Sequence, residues 1–115
     1  MRHLTITTVA LLVAATTAFA DARLSVTLDI DEDSSLSSIG YTCEGRDDIT
    51  VQYVNSGVNA LAMMEIDDDD RIFVNVVSAS GARYVSGEYV WWSKGDMATL
   101  ENSLENGAII QCSER

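Results

Sequence analysis

The chain of 115 residues predicts a small all-β domain of about eight antiparallel strands, folded as a closed barrel or a sandwich. Two observations carry this prediction. Apolar residues recur at period two through most of the chain beyond residue 40, the mark of half-buried strands. Turn residues interrupt these runs about every ten positions, a spacing that implies hairpins. Two cysteines near opposite ends of that region supply a staple, which a domain of this size needs because its core is small.

The first twenty residues stand apart from this pattern. Met1-Arg2-His3 leads into a short apolar run from Val9 to Ala15, and Ala18-Phe19-Ala20 fits the small-x-small rule of signal peptidase. Residues 1–20 are therefore expected to be a secretory signal, with a mature protein of about 95 residues starting near Asp21. The apolar run is far shorter than the roughly 20 residues a spanning helix needs, so no stable membrane insertion is expected. Asp21, not a cysteine, comes directly after Ala20, so the lipid-attachment signature is missing and a soluble periplasmic or secreted protein is expected. Residues 21–37 show no comparable alternation and are expected to be loosely held ahead of a domain over residues 38–115.

Within that domain the strands centre near Tyr41, Val51, Ala62, Val74, Tyr84, Val90, Thr99 and Ile110. Ile49, Val51 and Tyr53 alternate with Thr50 and Gln52. Val58, Ala60, Ala62, Met64 and Ile66 are expected to share one face, with Asn59 and Glu65 on the other; Ile72, Val74 and Val76 form a third apolar face. Turns are expected at Asn55-Ser56-Gly57, Asp67–Asp70, Ser80-Gly81, Ser86-Gly87, Lys94-Gly95-Asp96 and Asn106-Gly107. Cys43 and Cys112 then lie on the first and last strands. Export to an oxidising compartment makes them a disulfide, which would fasten the seam of a barrel and protect its two edges. Closing a loop of about 70 residues stabilises by roughly 4 kcal/mol on the loop-entropy argument.

Charge and side-chain inventory exclude several functions. All 18 acidic residues lie beyond Ala20, and without Arg2 the six remaining basic residues leave a formal charge of −12. Nucleic acid is excluded as a partner, whereas a basic protein would be attracted. Solubility alone is the plain alternative for this acidity. His3 is the only histidine and leaves with the signal, so no imidazole remains for acid–base work and no Ser-His-Asp or Cys-His arrangement is possible. Zinc lacks its usual ligands. Asp29, Asp31 and Asp33 match the first spacings of a calcium loop, but Ser34 and Gly40 stand where glycine and a bidentate glutamate are required. No enzyme activity, metal or cofactor is expected.

The densest information lies between Val77 and Leu100. Ser80-Gly81 makes a turn of small residues, Tyr89–Ser93 an aromatic strand, and Lys94-Gly95 the next turn. Two reversals separate Ser80 from Lys94, which brings both turns to one end of a barrel. Lys94 is the only lysine in the chain, on a strongly acidic background. The plain alternative is a pair of ordinary hairpin turns whose glycines supply positive φ, beside a solvated lysine. Trp91 and Trp92 alternate faces, one in the core and the other partly exposed.

This segment resembles the MliC/PliC family, the membrane-bound and periplasmic inhibitors of C-type lysozyme. Its members carry Ser-Gly-x-x-Tyr, present as Ser80, Gly81 and Tyr84, followed by a tyrosine and Lys-Gly, present as Tyr89, Lys94 and Gly95. Tyr41-Thr42-Cys43, Val51-Gln52-Tyr53 and Cys112 extend the resemblance to residues 38–113. It implies an eight-stranded antiparallel β-barrel closed by one disulfide, which blocks a basic C-type lysozyme by inserting the serine turn into its cleft, as a monomer or weak dimer. Ser80 and Lys94 are the implied partners of the catalytic carboxylates. Ala79, Gly81, Ala82, Arg83, Tyr84, Tyr89 and Gly95 complete the implied lysozyme-binding set, the tyrosines bracing the turn. The acidic runs Asp29–Asp33 and Asp67–Asp70 fall outside the shared motifs, and the lipid anchor common in the family has no signature here. A second reading is an envelope binding module for cell-wall glycan, stacking sugars on Tyr89, Trp91 and Trp92, or for another periplasmic protein. A hydrolase is the third, and it would need two carboxylates held in a cleft.

Overall fold

A computed structural model of the chain describes residues 9–17 and 21–115. The expected leader and its cleavage site fall largely on residues 1–8 and 18–20, outside the described ones. No helix among the described residues is long and apolar enough to cross a membrane.

Eight strands form one closed antiparallel meander in which each pairs with its neighbours in sequence and the last returns to the first. They are β1 (Ser35–Cys43), β2 (Ile49–Ser56), β3 (Asn59–Ile66), β4 (Asp69–Val76), β5 (Ala82–Ser86), β6 (Tyr89–Lys94), β7 (Met97–Asn102) and β8 (Ala108–Glu114). The all-β barrel expected from alternation and turn spacing is thus present, and the open alternative of a sandwich is not. β1 begins at Ser35, which pairs with Asn55, so the ladder takes in three residues of the segment expected to be loose. Ahead of it, Asp31 accepts from the Asp33 amide at 3.1 Å and the Ser34 hydroxyl at 2.7 Å, closing a turn. The Ser34 hydroxyl leads the bonds that hold this carboxyl below the usual aspartate range.

Closure of the barrel is covalent as well as hydrogen-bonded. Cys43 and Cys112 face each other directly across the β1–β8 ladder and form a disulfide with Cα atoms 4.1 Å apart. Among the described residues the sheet has no unpaired outer strand. The interior holds Tyr41, Val51, Tyr53, Ala62, Met64, Ile66, Phe73, Tyr84, Trp91 and Leu100. Its aromatics carry polar tips that satisfy one another: the Trp91 indole donates to Tyr53 Oη at 2.8 Å, and Tyr53 and Tyr41 share a hydrogen bond of 2.9 Å. Tyr41 meets Trp91 edge to face at 5.0 Å, a favoured geometry for aromatic pairs.

Two expectations about faces are corrected. Phe73 is fully buried, while Ile72 and Val74 are 61% and 52% exposed, so β4 turns the opposite face inward. Register decides this. Phe73 sits opposite Ala62, an inward residue of β3, and directly opposed residues share a face; the small alanine leaves room for the phenyl ring. Val58, expected in the apolar row of β3, is fully exposed in the turn after Gly57. The four-aspartate turn is also shorter than expected: Asp67 and Asp68, with φ of +51° and +67°, make a two-residue hairpin, and Asp69-Asp70 already belong to β4.

Candidate functional site

Strand direction and register bring two turns together. β4 and β6 run the same way along the barrel, so the loop after β4 (residues 77–81) and the Gly95–Asp96 turn after β6 emerge at one end. β5 pairs with β6 with Ala82 opposite Ser93, which sets Gly81 beside Lys94. Gly81 has a φ of +65°, and a β-carbon there would press on the Ser93 carbonyl oxygen and lie 2.5 Å from Lys94 Cγ. Only glycine satisfies both the conformation and the approach.

Trp92 completes the arrangement from the outer face of β6. Its indole N–H donates to the Ser80 carbonyl at 2.9 Å, and the Ser78 hydroxyl donates to the same oxygen at 2.6 Å. Two donors occupy both lone pairs of that carbonyl and so fix the orientation of the turn. The Lys94 ammonium lies over the ring of Trp92, 4.6 Å from the centroid, within cation–π range.

Ser80 and Lys94 themselves are exposed. Among the described residues, no protein group bonds the Ser80 hydroxyl and no carboxylate pairs with Lys94. A hydroxyl and an ammonium with four donor hydrogens between them therefore belong to exposed residues at one barrel end, suited to a carboxylate or another anion.

Other expected site residues are more dispersed. Ala79 and Gly95 are exposed beside the two turns, and Ala82 is half-buried, its carbonyl accepting from the Ser93 hydroxyl at 3.5 Å. Arg83 sits half-exposed opposite Val76 and Trp92. Tyr84 is buried in the interior, 5.7 Å from the Tyr53 ring, and burial raises its phenol pKa. Tyr89 lies at the far end of the barrel, where it donates to Asp67 at 3.1 Å and carries the Arg71 guanidinium 4.6 Å above its ring. Arg71 also grips both carboxylate oxygens of Glu88, at 3.0 and 3.3 Å. The tyrosine that opens the Lys-Gly motif is thus away from the serine turn. Tyr89 opens β6 and Lys94 closes it, so the length of the strand separates them and Tyr89 does not brace the serine turn as expected.

Trp91 is fully buried, Tyr89 is at the far end, and one face of Trp92 carries the lysine, so the three aromatics form no common platform for sugars. The sequence left open which of Trp91 and Trp92 faces outward and gave Trp92 no part in the serine–lysine tip. The signal for its role was present, because residues 92 and 94 share the outer face of one strand.

Residues 41–108 match the family model described as membrane-bound lysozyme-inhibitor of c-type lysozyme. The chain is 44% identical over 82 residues to a membrane-bound lysozyme inhibitor of C-type lysozyme from Pseudomonas aeruginosa, a match covering 68% of this chain and 65% of that protein. It is 41% identical over 68 residues to the protein of the same description from Cupriavidus necator, covering 59% and 54% respectively. The chain therefore spans less than two thirds of the length of these relatives. Among solved structures, the crystal structure of Pseudomonas aeruginosa MliC in complex with hen egg white lysozyme superposes with a TM-score of 0.68 at 40% identity, covering 84% of this chain and all of that one.

Proposed function

The chain belongs to the family of membrane-bound lysozyme inhibitors of C-type lysozyme, and on that footing we propose that it blocks a C-type lysozyme and catalyses no reaction of its own. The observation that carries this reading is the packing of Gly81 against Lys94, which brings a free hydroxyl and a free ammonium to one end of a rigid barrel. Lysozyme is the type case of a retaining glycosidase: it cuts glycan with two carboxyl groups about 5 to 5.5 Å apart, one protonated and one ionised. Inserted into that cleft, Lys94 pairs with the ionised carboxylate and Ser80 bonds to its neighbour. The charge-assisted bond of Lys94 contributes about 1.5 to 3 kcal/mol where water is excluded, and the neutral bond of Ser80 about 1 kcal/mol.

The flanking residues suit such an entry. Ala79, Gly81 and Gly95 are small and add little bulk to the tip, while Ala82 and Arg83 stand at its base. Tyr84 braces the barrel wall behind the turn and Tyr89 the opposite end. The acidic surface would hasten encounter with a basic enzyme. The leader-like residues 1–20 and the disulfide support an oxidising envelope or secreted setting.

A turbidity assay with hen egg white lysozyme and suspended bacterial cell walls tests the proposal. Clearing of the walls should slow in proportion to added protein and stop at saturation. Unchanged clearing at a large molar excess would sink it.

A further inference from the structure

We infer that Trp92 is the positioning residue of this tip, one indole holding the serine turn through its N–H and the lysine ammonium on its ring face. The inference rests on the reading of Ser80 and Lys94 as the inhibitory pair, and it adds a residue that the motifs defining them leave unspecified.

Two contacts converge on the one side chain, and Gly81 leaves the room they need. Nε1 donates to the Ser80 carbonyl at 2.9 Å and the ring centroid lies 4.6 Å from Lys94 Nζ, while a β-carbon added at position 81 would lie 3.0 Å from Nε1. The indole is itself held in place. Thr99 and Gln111 continue its row across β7 and β8, and Arg83 faces it from β5, so it lies on a ladder of outer side chains.

A lysine at a turn tip has a long flexible stem, and seating it in a carboxylate pair costs rotamer freedom. Resting the ammonium on an aromatic face restricts the stem before the partner arrives, which reduces the entropy lost on binding. The same indole fixes the peptide that presents the Ser80 hydroxyl. The two contacts are thereby linked through Trp92 and act as a unit.

The experiment separates the two binding modes of the indole. Trp92→Phe keeps a ring face and removes the N–H; Trp92→Leu removes both. Dissociation constants for hen egg white lysozyme should rise about fivefold in Trp92→Phe and about 30-fold in Trp92→Leu. In a Lys94→Ala background the cost of Trp92→Leu should fall to about fivefold, because the part acting through the lysine has already been lost. In the free protein, the side-chain protons of the sole lysine should show an upfield ring-current shift that Trp92→Phe largely keeps and Trp92→Leu abolishes.

Full binding by Trp92→Leu would overturn the inference, as would an undiminished cost in the Lys94→Ala background, since the indole would then be a direct contact. Absence of the ring-current shift would do the same without any lysozyme present. If Lys94→Ala also binds normally, the reading of the tip fails as well, and the two failures are distinguished. Because Trp92 lies on the outer face, folding of each variant is checked by its melting curve, and the shift in Trp92→Phe decides the matter if the leucine variant unfolds.

Discussion

Gly81 lies so close to Lys94 that a single methyl group would collide with the lysine stem at 2.5 Å. The same position holds a φ of +65°, so Gly81→Ala meets both a backbone and a steric penalty. We expect it to destabilise the barrel by at least about 2 kcal/mol and to displace the lysine. Gly95 is the internal control: its φ is +57°, but nothing lies within 4 Å of an added β-carbon. Gly95→Ala should cost about 1 kcal/mol of stability and weaken inhibition far less than Gly81→Ala does. Urea denaturation and a lysozyme assay on the two variants give the comparison.

Lys94→Ala should weaken inhibition by about 2 to 5 kcal/mol, because it leaves an ionised carboxylate of the target desolvated and unpaired. Ser80→Ala should cost less, about 1 kcal/mol, since a neutral hydroxyl is the weaker donor. Inhibition constants from cell-wall turbidity measure both. Lys94 is the only lysine, so amine acetylation offers the same test on the unmutated chain, modifying this site and the N-terminus alone.

Reducing the Cys43–Cys112 bond should lower stability by roughly 4 kcal/mol, given the 69-residue separation it spans. A shift of the urea midpoint on adding reductant, absent in a Cys43→Ala/Cys112→Ala variant, is the expected result. No shift would mean that the ladder between β1 and β8 closes the barrel unaided.

Stability should be level from neutral pH to about pH 10 and fall above it. Burial, and then the bond with Tyr53, raises the Tyr41 phenol far above the usual tyrosine range; burial raises Tyr84 as well. Below the ordinary pKa of about 10 both folded and unfolded chains keep these protons. Above it the unfolded chain releases protons that the folded chain retains, so rising pH favours unfolding. Urea midpoints and tyrosinate absorbance followed together should show these phenols ionising only as the barrel opens.

Association with a basic lysozyme should slow by about tenfold between 20 mM and 500 mM salt, while dissociation changes little. The acidic surface acts at long range and is screened, whereas the contacts of a seated tip lie within a Debye length. Stopped-flow rates at the two salt concentrations separate the effects.

Much of this molecule was legible in its sequence, and the exceptions have physical causes. Alternation and glycine turns located all eight strands, because a barrel wall has one wet and one dry face and its hairpins need positive φ. They misread β4, where Ile72, Val74 and Val76 outnumber Phe73 as apolar residues but the ring fills the space over Ala62. Strand pairing, which no single segment contains, decides that face. The placement of Ser80 and Lys94 at one end followed from counting reversals; the position of Tyr89 at the other end did not, because the shared motif groups it with the turn. Trp92 stayed hidden because its partners are a backbone carbonyl twelve residues away and a side chain two residues on, and the first of these depends on the register of β5 with β6.

The disulfide has a mechanical consequence. Tension applied across the barrel from the start of β1 to the end of β8 enters at β1, crosses from Cys43 to Cys112 through sulfur, and leaves by the end of β8. The stretch in between, with the serine turn and the lysine, carries none of the load. An inhibitor of this build, tethered at one terminus and pulled at the other, would strip part of its first strand before any force reached the hairpins that present its tip.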